Sequence, residues 1–190
     1  MNMKINMDTI IQDPNPVLRA QAKPVPLPLS DEDRETLMTM LQYVRDSQDE
    51  ALAEANNLQP AVGIAAPQIG VSKQMSAIRL VDYNDDDEEI VSEYALVNPR
   101  IISHSEKKCA LSLGEGCLSI REEHAGFVPR HLRVKVKAYD ALLDKEIVIQ
   151  LSNYASIVFQ HEIDHLHGVL FYDTINTENP WDDSNLKIIE

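Results

Sequence analysis

The segment that most constrains this fold is residues 153–167, NYASIVFQHEIDHLH. Ala155, Ile157, Val158, Phe159, Ile163 and Leu166 spread round most of a helical circumference, and a helix apolar all round is a buried helix. Yet the same segment carries His161, Glu162, Asp164 and His165, whose burial is costly unless they are paired or bound to a metal. The rest of the chain must wrap this helix and satisfy those polar groups. Ser152 or Asn153 is expected to cap its start, and Gly168 to end it in the left-handed region.

His161-Glu162-Ile163-Asp164-His165 is H-E-x-x-H. Residues i and i+4 lie one turn apart on one helix face, so two imidazoles converge on one cation. Glu162, offset by one residue, stands beside the cation, where it can take a proton from an activated water. The bland rival is a buried helix whose histidines and acids pair with one another. A catalytic site needs a third protein ligand and an open position. Downstream, Gly168 fits the extended H-E-x-x-H-x-x-G-x-x-H form, but Phe171 stands where the third histidine belongs, and Glu178 lies in a polar turn. Upstream, LGEGCLS offers Cys117, with glycines that let the backbone approach a ligand. Taken alone, a cysteine in a strand is more often a small buried hydrophobe, and that reading is kept for Cys109. His104, His124, His131 and His167 have no partner at ligand spacing.

The remainder reads as one domain, 1–190. Ser30 with Asp33 predicts a capping box, followed by a helix with Leu37, Met40, Leu41 and Val44 on one face. A second helical stretch covers about 48–55. Strands are expected at 74–80, 94–103, 117–120, 132–139 and 146–151, with the acidic run 82–89 a solvated loop. The fold class is α+β: mixed and antiparallel sheets wrapped around a central C-terminal metal-binding helix.

With 17 basic against 31 acidic residues, the formal charge of −14 argues against nucleic acid and anionic lipid as partners. Arg133, Lys135 and Lys137 alternate with Leu132, Val134 and Val136, the period of a half-buried strand rather than of a nucleic-acid groove. No stretch approaches the roughly 20 apolar residues of a membrane span. The N-terminus lacks an apolar run that would serve as a secretion signal, and the chain has only two cysteines, so the cytoplasm is the expected location.

Three segments taken in order, GIAAPQIG (63–70), EGCLS (115–119) and QHEIDHLHG (160–168), resemble the signature motifs of peptide deformylases, which remove the formyl group from N-formylmethionine at the start of bacterial proteins. The likeness extends to NPRIISHS, VPRHLRVKVKAYD and IVFQHEIDHLHGVLFYD, and so to nearly the whole chain. The acidic insertion near Asp85 and the longer segment before EGCLS are similar to the second type of the family, common in Gram-positive bacteria. That type lacks a long C-terminal helix, and the polar tail 181–190 agrees.

The resemblance implies that Cys117, His161 and His165 are metal ligands with water as the fourth, and that Glu162 is general base and acid. It implies that Gln68 and the backbone N–H of Leu118 bind the developing oxyanion, and that Gly63 and Gly116 hold the substrate backbone extended. Val62, Tyr154, Ile157 and Val158 would line the methionine slot, and Arg130 would pair with Glu115 or Asp164. A Cys/His/His site suits zinc, nickel, cobalt or iron, and the resemblance favours one Fe(II) per chain. The implied partners are N-formylmethionyl nascent peptides and, transiently, the ribosome. Where the family usually has glycine two residues before Gly63, this chain has Ala61, and Ile64 replaces leucine. A positive φ at 61 would cost alanine about 1 kcal/mol. The rival readings are a zinc endopeptidase with a ligand after the helix, a non-catalytic metal-binding module, and a catalytically silent relative.

Overall fold

The structure is a computed structural model that describes residues 3–190. Among the described residues four α-helices, α1 (Pro16–Arg19), α2 (Asp31–Ser47), α3 (Glu50–Asn56) and α4 (Asn153–Leu166), pack with eight strands. The strands are β1 (Gly63–Ala65), β2 (Met75–Tyr83), β3 (Glu89–His104), β4 (Lys108–Leu111), β5 (Arg130–His131), β6 (Arg133–Asp140), β7 (Lys145–Ser152) and β8 (Leu186–Ile189). One sheet, ordered β1-β2-β3-β6-β7, is antiparallel throughout; the other, β5-β4-β8, is mixed, with β4 and β8 parallel. The expected α+β class, with antiparallel and mixed sheets around a C-terminal helix, is what the structure has.

Met75–Ile78 of β2 is buried on both faces, which explains its unbroken apolar character. Met75, Ala77, Ala95 and Val97 face Leu37, Met40, Leu41 and Val44 of α2. Ile78 and Leu96 point the other way, onto Val158, Phe159 and Ile163 of α4. The first three strands are thus sandwiched between α2 and α4. On β6 and β7, Val134, Val136, Ala138 and Leu151 also face α4.

The expected helices and long strands form, with informative departures. Ser30 Oγ accepts from Asp33 N–H at 3.1 Å, but the Asp33 carboxylate is taken by Lys73 at 2.5 Å, so only one half of the capping box is made. The 82–89 run is not all loop. Its ladder continues to Tyr83↔Glu89, and the turn closes on Asn84 Oδ1, which accepts from the N–H groups of Asp86 and Glu88. Residues 117–120 are no strand but a turn with a single bridge, Ile120 N–H donating to Cys117 O at 3.1 Å. The tail lacks a helix, as expected, yet it ends in β8 paired with β4.

Candidate active site

Ser152 stands at the N-cap of helix α4 without a side-chain bond to the first turn, and the helix ends before Gly168, whose φ of +70° suits glycine. A Cβ at 168 would meet Arg19 O at 2.3 Å, so the exit of the helix is pressed against the end of α1. His161 and His165 project one turn apart, and the 112–120 segment brings Cys117 to them. One ligand atom from each of Cys117, His161 and His165 lies within 4.8 Å of the others, with Cys117 Sγ 3.3 Å from His165 Nε2. The third candidate donor therefore lies upstream of the helix. At the downstream position Phe171 stacks on His161, centroids 6.2 Å apart.

Sequence reasoning left Arg130 with one of two acids, and the structure gives it both. Its guanidinium forms a fork on Glu115, with two bonds of 2.8 Å, and reaches Asp164 at 2.5 Å. Glu115 in turn accepts from His161 Nδ1 at 2.8 Å, which aims Nε2 toward Cys117 and His165. That role of Glu115 was missed; its place two residues before Cys117 was the available signal. Burial raises the Glu115 carboxyl, but Arg130 and His161 outweigh it and hold it down at about 2.

Burial also opposes charge on His161, yet bonds to Cys117 and Glu115 push it up to about 10. Burial, with His161 and Arg130 nearby, drives His165 well below its usual range. A cation binding here therefore displaces the His161 proton. One thiolate and two imidazoles fit a first-row divalent ion with an open position. Glu162 fits beside it: burial raises its carboxyl to about 7, and its Oε2 is buried with no hydrogen-bond partner.

Gln68 comes from a 3-10 turn, Ala66–Ile69, that follows β1. Its Oε1 accepts from Ala65 N–H at 2.9 Å, which turns Nε2 toward Cys117 Sγ at 3.4 Å and Ser119 Oγ at 3.2 Å. The N-terminal segment ties these two loops together. Ile11 N–H donates to Gln68 O, Gln12 Nε2 to Leu118 O and Asp13 N–H to Ser119 O.

All the expected site residues except the deeper His165 line one cleft of about 500 Å³. Val62, Ile157 and Val158 form an apolar wall, while Tyr154 is 41% exposed at the rim. Gly116 has open space where a side chain would be, and Gly63 has none, because Glu162 fills it. Gln48 and Arg79, not expected from sequence, line the outer end. Ala61 is not among the positive-φ residues, so the expected strain is absent. Its N–H and C=O are held by Ser47 Oγ and Gln48 Nε2.

A profile of the polypeptide deformylase family matches residues 7–181. A peptide deformylase of Halalkalibacterium halodurans is 50% identical over 173 residues, 90% of this chain and 91% of that protein. Peptide deformylase 2 of Bacillus subtilis is 46% identical over 177 residues, 93% of this chain and 94% of that one. Among solved structures, the Met-Ala-Ser-bound class I type b peptide deformylase of Acinetobacter baumannii superposes with a TM-score of 0.68 at 30% identity, covering 91% of this chain and all of that one. The chain belongs to the peptide deformylase family, metal-dependent hydrolases that remove the formyl group from the N-terminus of nascent peptides.

Proposed function

We propose that Cys117, His161 and His165 hold one divalent metal, and that Glu162, Gln68 and the Leu118 N–H perform the family's deformylation around it. The observation that carries this is the Glu162 carboxyl, buried, raised to about 7 and unpartnered at Oε2 beside the Cys/His/His trio. A buried carboxyl with a free oxygen beside the metal position can both accept and return a proton. A bound cation would lower the pKa of a water and polarise the formyl carbonyl.

Glu162 takes the proton of the attacking water at Oε2 and delivers it to the departing amine. Gln68 Nε2, turned into the cleft by Ala65, donates to the oxygen that gains charge, with the Leu118 N–H as second donor. Val62, Tyr154, Ile157 and Val158 receive the methionine side chain. Gly63 and Gly116 leave their backbones open to an extended substrate. Formate and a free N-terminal methionine are the products.

Fe(II) is the proposed metal, with zinc, nickel or cobalt competent donor-set alternatives. The chain works as one catalytic domain, 1–190, in the cytoplasm, where nascent formylated chains arise, and it meets the ribosome transiently. A zinc endopeptidase is disfavoured by the upstream third donor. The test is formate release from formyl-Met-Ala-Ser by anaerobically purified protein, with metal content read on the same sample. Turnover by the parent and its loss in Glu162→Gln, at one metal per chain in both, is expected. A fully metallated parent with no formate release overturns the reading.

A further inference from the structure

Away from the cleft, the far half of the five-stranded sheet turns a bare face to solvent. Residues directly opposite in a ladder share a face, so three cross-strand rows can be followed: Arg100–Lys137–Val148, Ser103–Lys135–Gln150, and Arg133–Ser152. This is the face that α2 covers over β1, β2 and β3. Tyr139, two residues along from Lys137, still packs against the α2 cluster, and beyond it Arg133, Val148, Gln150 and Ser152 are exposed. At its end, Ser103, His104, Ser105, Arg133, Lys135, Gln150 and Ser152 line a groove of about 410 Å³.

The groove contains no carboxylate, although acids outnumber bases 31 to 17 in the chain. On this face its polar lining is two cations, the hydroxyls of Ser103 and Ser152 and the Gln150 amide, all able to donate to an anion; the Ser105 hydroxyl already donates to Lys107 O, and His104, opposite Val134, belongs to the other face of the sheet. Among the described residues, Arg100, Arg133 and Lys135 pair with no acid, whereas Lys137 holds Glu146 at 2.8 Å. The alternation that makes β6 a half-buried strand also places its cations on one side. Net charge is a sum over the surface, and a local field of opposite sign survives it.

We propose that this face is a docking surface for the phosphate backbone of single-stranded RNA. The spacing favours a polyanion over a single phosphate: Arg133 and Lys135, two residues apart on β6, lie about 6.8 Å apart, the order of the separation of successive phosphates along an extended strand, and Arg100 is the next unpaired cation of the face. The location fits the chain's substrates. Ser152, at the groove, immediately precedes α4, and Tyr154, two residues on, lines the cleft. RNA held here brings the cleft beside machinery that presents nascent peptides. This reverses the expectation of no nucleic-acid partner drawn from net charge.

The test is fluorescence anisotropy of labelled oligouridylate titrated with the full chain at several salt concentrations. The parent, Arg133→Glu/Lys135→Glu and Arg133→Lys/Lys135→Arg are compared. The charge-reversed variant is expected to bind at least about tenfold more weakly, with the slope of log affinity against log salt reduced by about 1 to 2. The charge-conserving variant keeps parental binding. Both keep parental formate release from formyl-Met-Ala-Ser, which reports folding and is independent of RNA. Inorganic phosphate should compete only through ionic strength. Three results would overturn the proposal: no binding by the parent, binding unaltered by charge reversal, or saturation by inorganic phosphate or by phosphatidylserine vesicles with no preference for RNA.

Discussion

Gly63 and Glu162 are in direct contact: a Cβ built on Gly63 would lie 2.6 Å from Glu162 Oε1 and 2.8 Å from its Cδ. Strand β1 and helix α4 meet closely enough that the backbone of one is a wall for the carboxyl of the other. The glycine matters here for space, since its φ is not positive.

Gly63→Ala must therefore displace the carboxyl. Formate release is expected to fall by about 10²-fold, the low end of what a positioned acid–base group contributes, with metal content unchanged. Steady-state kinetics with metal analysis checks this, and parental turnover would mean that Glu162 need not sit where it does.

Cys117→Ala removes the only thiolate from the proposed three-donor set. Metal content after dialysis should drop to near zero while the far-UV circular dichroism is retained. Metal retained at parental level would place a donor elsewhere.

Arg130 is the buried hub between Glu115 and Asp164. Arg130→Met leaves the Glu115 carboxylate, whose side chain is 3% exposed, with His161 as its only partner. Breaking a buried pair from one side costs about 3–5 kcal/mol, so Tm should fall by about 10 °C for a chain of this size. Thermal unfolding is the measurement, and a change of a degree or less would show that the pair carries little.

The same carboxylate sets an acid limit. Its folded value is lowered from 4.5 to about 2, so the stability it contributes is complete above pH 4.5 and is lost as pH falls toward 2. The stability gap between the metal-free parent and Glu115→Gln is expected to be largest above pH 4.5 and to shrink through that window. Urea midpoints at several pH values read it directly, and a gap independent of pH would contradict the assignment.

Ala61 stands where the family usually has glycine, in backbone that alanine adopts without strain. Ala61→Gly should leave formate release within about twofold and lower stability by no more than about 1 kcal/mol, through the freedom glycine adds to the unfolded chain. A marked gain in activity would mean that the alanine methyl restrains the cleft.

Features written in short-range period and spacing are legible from the residues alone. The 3.6-residue pattern of 153–166 and the i, i+4 histidines specified α4 and two candidate donors. The alternation in 133–139 specified a half-buried strand, and Ser30 marked the start of α2. These depend on neighbours a turn or two away, so they are legible without a fold.

Contacts between distant segments become visible only in the folded chain. Residues 186–189 pair with β4 although nothing local announces a strand there, because the register comes from a partner some eighty residues earlier in the chain. Arg130 takes both acids because β5, α4 and the 112–120 loop converge. The resemblance named Cys117 as the third donor, but its Sγ reaches the histidines through a turn where the periodicity suggested a strand. Arg133 and Lys135 of β6 are left uncovered because the packing of α2 extends over β1, β2 and β3 and reaches no farther along β6 than Tyr139. Period says that a strand has two faces; only packing says which of them remains uncovered.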